Sequence, residues 1–179
     1  AAPARLLVPA LALLLAVALP ARAQVVVKMA TLVPEGSKYH LILKEMIDRF
    51  QTATQGRVSV RLYPGSVAGD DTDVVRKMRL GSLNAALLAS SGVQAIDPTV
   101  MALQVPMLYS SYAEIDHVLS VYGPKIEASM ASKGFVVLAW ADGGWVRFFT
   151  KTPVRTPDDL KPLKPFAWGN DTDALEIWK

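Results

Sequence analysis

Three groupings of side chains in this 179-residue sequence have types and spacings that could do chemistry, and each also has a structural reading. Ser90 and Ser91 follow Ala85-Ala86-Leu87-Leu88-Ala89, a run too short for a helix and suited to a buried strand. Hydroxyls at the carboxyl end of such a strand lie where open α/β sheets bind ligands, and they can hydrogen-bond a small acid; Ser90-Ser91-Gly92 would serve equally as a turn. Asp70-Asp71 resembles a carboxylate pair for general acid and base work, but it stands where a helix begins, and capping is the better account. His40 and His117 lie far apart with no second ligand at metal spacing, and His117 falls off the apolar stripe of its helix, so solvated imidazole is expected rather than a base. The absence of cysteine excludes thiol catalysis, thiolate metal sites and disulfides. With no G-x-S-x-G, phosphate loop or dinucleotide fingerprint either, enzymatic readings are thin, and no cofactor or metal is expected.

The amino-terminal residues do not belong to a folded core. Arg5 precedes the almost wholly apolar run Leu6 to Leu19, and Ala21-Arg22-Ala23 is a small-x-small site, so residues 1–23 read as a secretory signal peptide cleaved before Gln24. An uncleaved anchor is the alternative, but the run is shorter than the roughly 20 residues a spanning helix needs and is interrupted by Pro9 and Pro20. No later segment is apolar enough to span, so no stable membrane insertion is expected after cleavage. Of the net charge of +3, Arg5 and Arg22 supply +2, which leaves +1 for the mature part. No basic cluster with interleaved aromatics could track a phosphate backbone, and nucleic acid is not expected as a partner.

The elements that position these groups are marked by their punctuation. Val25 to Met29 reads as a buried strand, and Ser37 caps a helix whose apolar face is Tyr39, Leu43, Met46, Ile47 and Phe50. Val58, Val60 and Leu62 alternate as a strand parallel to the first, stopped by Pro64-Gly65. A helix follows with Asp70 as cap, Asp71 and Asp73 in its first turn, Arg76, Lys77 and Arg79 in its last, and Gly81 beyond. Asp97-Pro98 and Val105-Pro106 punctuate an extended apolar stretch. Ser111 to Glu114 has the form of a capping box, Tyr112, Ile115, Val118, Leu119 and Tyr122 form a stripe, and Gly123-Pro124 is expected to break or kink that helix before a second piece from Lys125 to Gly134. Strands are expected over Phe135 to Trp140, Trp145 to Thr150 and Lys164 to Trp168, with a short helical start at Thr156-Pro157 and a helix from Asn170 or Asp171. Strands alternating with helices predict a three-layer α/β sheet.

The stretch RVSVRLYPGSVAGDDTDVVRKMRLGSLNAALLASSG (Arg57 to Gly92) resembles the signature region of DctP-type TRAP-transporter solute receptors. ATLVPEGSKYH (Ala30 to His40), LQVPMLYSSYAEIDHVL (Leu103 to Leu119), DGGWVRFFT (Asp142 to Thr150) and VRTPDDLKPLK (Val154 to Lys164) are similar to further landmarks of that family, in its order. The resemblance implies a periplasmic binding-protein fold of two α/β lobes with hinge strands, closing on an organic acid and handing it to TRAP membrane permease subunits, without catalysis. On that reading residues 24–144 form the first lobe, and residues 145–179 are a hinge strand and the start of a second lobe that is truncated here. The missing initiator Met and the end at Trp178-Lys179, inside an expected helix, fit an amino-terminal fragment. The resemblance makes Arg147 the carboxylate clamp, a task suited to a planar, permanently charged fork; pairing with Asp142 or Asp158 is the alternative. The family's second arginine, after a segment of the form LKxLKxR, is replaced by Phe166, which with Trp168 suggests a ligand with more apolar surface or an acid held differently. Thr31, Glu35, Ser90 and Ser91 match loops facing the family's cleft, and Trp145 stands on its wall or packs at the lobe junction. A periplasmic α/β enzyme, a hydrolase or isomerase on a similar frame, is the alternative function.

Overall fold

The computed structural model describes residues 24–145, 147–164, 166 and 176, and its contacts divide the chain into one compact unit ending at Leu87 and another beginning at Leu88. The first unit is built on β1 (Val25–Thr31), α1 (Lys38–Ala53), β2 (Val58–Tyr63), α2 (Asp71–Arg79) and β3 (Ala85–Leu87). Its three strands are parallel in the order β2-β1-β3. Val25 pairs with Val58 and Ala30 with Tyr63, while Met29 pairs with Ala85 and Thr31 with Leu87. Parallel neighbours require a crossover between them, and α1 and α2 fill that role.

Each helix starts and stops where its end groups find partners. Ser37 accepts from the His40 N–H, and Asp70 accepts from the Asp73 N–H and the Thr72 hydroxyl. The Asp70 carboxyl is held below the usual carboxylate range, first by the Asp73 amide and then by Thr72. α2 ends with Arg76, Lys77 and Arg79 against its negative end, and Gly81 follows at φ +72°. The core is Ala30, Leu43, Ile47, Val74, Val75 and Leu83.

Two expectations for this unit need correction. β1 is not buried along its length, since Val25 and Val26 are about half exposed and burial is reached only at Ala30 and Thr31. On α1 the packed stripe is His40, Leu43 and Ile47, whereas Tyr39, Met46 and Phe50 lie outside. The apolar arc of α1 is wider than the strip that β2 covers, so one edge packs and the other stays exposed. His40 is therefore buried rather than solvated, while His117 is exposed.

The second unit contains α3 (Ser90–Ile96), a 3-10 helix (Pro98–Gln104), α4 (Tyr112–Ser132) and a second 3-10 helix (Pro157–Leu160). The first 3-10 helix packs against α3 and α4, with Ile96, Val100, Ile126, Met130 and Phe135 buried. Asp97 organises this packing from a fully buried position. Its Oδ1 accepts from the Thr99 N–H and hydroxyl at 3.0 and 2.8 Å, and its Oδ2 meets Lys133 Nζ at 2.8 Å. Lys133 most, then Ser129 and Thr99, hold its carboxyl far below the usual carboxylate range.

The stretch after Asp97 is thus helical rather than extended, because Asp97 caps the first turn and Pro98 suits its start. The Ser111 hydroxyl caps α4 as expected, accepting from the Glu114 N–H at 3.3 Å, but Glu114 reaches back to the Ser110 N–H at 2.8 Å rather than to that of Ser111, so the box is not closed; a reciprocal capping box forms instead at Thr156 and Asp159. α4 runs unbroken through Pro124: the proline lies on the exposed side, and burial of Ile126 and Met130 holds the turns beyond it. Phe135 to Trp140 and the described residues of Trp145 to Thr150 form no strand, and Val136 and Leu138 are largely exposed. An extended run becomes a strand only when another backbone edge pairs with it. The strand expected over Lys164 to Trp168 and the helix after it fall mostly outside the described residues.

A depressed carboxyl pKa adds stability above the unfolded value of 3.8 and loses it as pH falls toward the folded value. Asp97→Asn should therefore lower the melting temperature by several degrees at neutral pH, and the gap to wild type should close below about pH 4. Calorimetry across pH measures this, and parallel curves would contradict it. Gly69 has φ +97°, and a Cβ there would lie 2.7 Å from that of Asp73. Gly69→Ala should cost about 1–3 kcal/mol in denaturant unfolding, more than Gly81→Ala, whose site has no atom within 4 Å.

Candidate ligand-binding site

In the first unit the parallel strands end together, and the loops leaving them form one surface. Residues 32–37 follow β1 and residues 64–70 follow β2. The two loops are joined by backbone bonds from Gly65 N–H to Val33 C=O at 2.8 Å and from Ser66 N–H to Thr31 C=O at 3.4 Å. Thr31 is 3 % exposed, and its hydroxyl accepts from the Val33 N–H at 3.2 Å. That contact makes Thr31 a shaper of the loop. Glu35 is exposed at the loop tip, and Gly36 follows at φ +79°, a conformation side chains resist.

The His40 ring closes this loop from below: its Nδ1 accepts from the Gly36 N–H at 3.0 Å. This contact is missing from the sequence reading, although the spacing of His40 with Leu43 and Ile47, three and four residues apart, places all three on one helix face. A pocket of about 280 Å³ beside it is lined by Glu35, His40, Lys44 and Asp48 together with Val60 and Leu62 of β2. Two acids and a lysine share it, so it is not a dedicated anion site.

The second unit has a groove of about 930 Å³ between the first 3-10 helix and α4, lined by Leu103, Tyr109, Val118, Tyr122 and Ile126 among others. It is mostly apolar. Its Glu114 is engaged with the Ser110 N–H, and Lys125 lies over the Tyr122 ring with 5.4 Å to the centroid. Such a groove suits hydrophobic contact better than an organic acid.

The remaining candidates lie in this second unit or beyond the described residues. Ser90, exposed, and Ser91, half-buried, begin α3 rather than a free turn. Trp145 is 40 % exposed and packs against Tyr112, ring centroids 5.3 Å apart. Arg147 is exposed and has no hydrogen bond or ion pair among the described residues. Of its possible acidic partners, Asp158 pairs instead with Lys161 at 2.6 Å. Phe166 is exposed, and Trp168 lies outside the described residues. The structure places Thr31 at the end of β1 and Glu35 in the loop that follows it, and neither Trp145 nor Arg147 lies in a helix or strand. Among the described residues no group of three acidic or imidazole side chains could hold a metal, and no helix is long and apolar enough to cross a membrane.

Comparison with known proteins gives this arrangement its context. The sequence profile described as bacterial extracellular solute-binding protein, family 7 (DctP) matches residues 29–165. The 2,3-diketo-L-gulonate-binding periplasmic protein YiaO of Escherichia coli is 32% identical over 128 residues, covering 70% of this chain and 39% of that one. The C4-dicarboxylate-binding periplasmic protein DctP of Rhodobacter capsulatus is 29% identical over 166 residues, 88% of this chain and 48% of that protein. A TRAP periplasmic solute-binding protein from Xanthobacter autotrophicus Py2, solved with bound β-D-galacturonate, superposes with a TM-score of 0.67 at 29% identity, covering 75% of this chain and 45% of that one. The chain thus spans less than half the length of these relatives. Because the profile runs through the parallel unit, the Asp97 cluster, α4 and the Arg147 segment, the chain belongs to the DctP family, family 7 of the bacterial extracellular solute-binding proteins.

Proposed function

We propose that this chain is part of the periplasmic receptor of a TRAP-type secondary transporter, which captures a small organic acid and delivers it to membrane permease subunits without transforming it. The observation that carries this reading is the family match across residues 29–165, joined to relatives that bind a keto sugar acid, a C4-dicarboxylate and a uronate. Residues 24–144 serve as the first lobe, residues 145–179 as hinge and start of the second, and residues 1–23 as a leader removed before Gln24.

Arg147 is the acid clamp in this reading. Its support is chemical: the guanidinium is exposed and unengaged among the described residues, and a fork with parallel N–H groups matches a carboxylate in two bonds. Glu35, at the tip of a tethered loop, suits the ligand's hydroxyls, since an ionised carboxylate only accepts hydrogen bonds. Thr31 shapes that loop, Ser90 and Ser91 supply hydroxyls at the start of α3, and Trp145 offers an apolar wall. Phe166 and Trp168, in place of a second cationic clamp, favour a ligand with one acid group and a carbon face, such as a sugar acid, over a dicarboxylate.

A calorimetric screen of the mature receptor against uronates, aldonates and C4-dicarboxylates tests the class. A ligand at a hundred times its Kd should raise stability by about 2.7 kcal/mol, and failure of every acid to do so would overturn the reading. Arg147→Ala should weaken binding of the best acid by about 2–4 kcal/mol, as charged hydrogen bonds are worth about 1.5–3 kcal/mol each. Arg147→Lys should recover part of this, and Phe166→Arg should shift preference toward smaller, more polar acids. Wild-type affinity in a folded Arg147→Ala would place the acid group elsewhere. Intact mass of the periplasmic fraction should correspond to a chain beginning at Gln24, and an unprocessed chain in the membrane pellet would contradict the leader.

A further inference from the structure

The loop after β1 has two attachments of different kinds. Its first half is held by groups that do not titrate, the Thr31 hydroxyl on Val33 N–H and the Val33 carbonyl on Gly65 N–H. Its second half, which carries Glu35, is held by His40, whose Nδ1 accepts from Gly36 N–H at 3.0 Å while its backbone N–H donates to Ser37 Oγ at 3.3 Å. His40 is 8 % exposed, and Gly36 sits at φ +79°, a conformation glycine adopts without strain, so the bond to His40 is what holds the loop end in place.

An imidazole that accepts at Nδ1 must carry its proton on Nε2. Adding a second proton turns Nδ1 into a donor facing another donor, and the bond to Gly36 cannot persist. We propose that His40 is a positioning residue for the loop 32–36: its unprotonated Nδ1 holds Gly36, and acidification releases the segment bearing Glu35. The effect on ligand affinity rests on the receptor reading above, in which Glu35 faces the ligand. The charged groups lining the pocket beside the ring are Glu35 from the loop and Lys44 and Asp48 from α1, while β2 contributes only the apolar Val60 and Leu62. These charged groups can be exchanged one at a time to read the influence of each on the release.

Nuclear magnetic resonance on the full chain, with no ligand added, tests the hold independently of whether the chain binds an acid. Long-range correlations of the ring nitrogens should show the Nε2–H tautomer at about pH 7.5, and the Gly36 amide should titrate together with the His40 ring. Exchange protection at Gly36, corrected for intrinsic rate, should fall about fivefold on protonation, the worth of one neutral hydrogen bond. His40→Asn, whose Oδ1 can replace Nδ1 as acceptor, should keep the protection and lose its pH dependence, whereas His40→Leu should lose protection at every pH. If either variant fails to fold, the wild-type tautomer and Gly36 titration still decide the matter. An Nδ1–H tautomer, a ring that stays neutral down to about pH 5, a Gly36 amide indifferent to the ring, or full protection in His40→Leu would each overturn the proposal. Calorimetric titration with D-galacturonate at both pH extremes then reads the consequence: affinity should fall on acidification in wild type and hold in His40→Asn, and an equal fall in both would overturn a role for His40 in binding.

Discussion

The pairing of β1 along both of its edges is the constraint on which the first unit depends. A strand with parallel neighbours on each side uses its amides and carbonyls in both directions and must deliver its chain to the same end as its partners. The loops after β1 and β2 therefore emerge side by side, close enough for Gly65 and Ser66 to bond back to Val33 and Thr31. Loop tips placed this way are the usual ligand surface of open α/β sheets, where binding groups are presented by a rigid frame. Here the frame reaches the tip through Thr31 and His40, both buried polar residues on elements that belong to the fold rather than to the loop.

The second unit is organised by a different device. Asp97 is fully buried, joins the end of α3 to the start of the 3-10 helix through Thr99, and reaches Lys133 just beyond α4. Breaking a buried pair leaves an uncompensated charge, so such a group constrains geometry strongly even where its net contribution is small. One carboxylate thus sets how three helical segments meet. The first unit takes its order from a backbone ladder, and the second from a satisfied polar knot surrounded by Ile96, Val100, Ile126 and Met130.

The distribution of engaged and unengaged polar groups bears on how an acid would be recognised. Around the loop after β1, the Thr31 hydroxyl accepts from the Val33 N–H and the His40 ring accepts from the Gly36 N–H, so these groups are engaged within the fold. The cation with spare donors among the residues singled out is Arg147, outside that loop and beside the aromatic contact of Trp145 with Tyr112. Binding by such groups needs preorganisation more than numbers, because each side chain ordered on binding costs free energy. The loop that carries Glu35 is tethered at both halves.

How much of this was legible beforehand follows from the range of the forces involved. Capping, turns and periodicity act over a few residues, and the starts of α1, α2 and α4, the Asp70 and Ser111 caps and the parallel relation of β1 to β2 were readable from Ser37, Asp70, Gly81, Ser111 and the alternation of Val58, Val60 and Leu62. The family resemblance was likewise written locally, in segments whose order survives over residues 29–165. Which edge of a wide apolar arc packs depends on what lies opposite, so the helix pattern alone does not show that His40 is buried and closes the loop after β1 from beneath. Phe135 to Trp140 carried strand-like residues, yet a strand requires a partner edge that composition alone does not supply. Local chemistry determined where elements begin and end; only tertiary packing decided which polar groups, such as His40 and Asp97, were consumed within the fold, because burial, and for Asp97 the Lys133 partner, comes from residues distant in sequence.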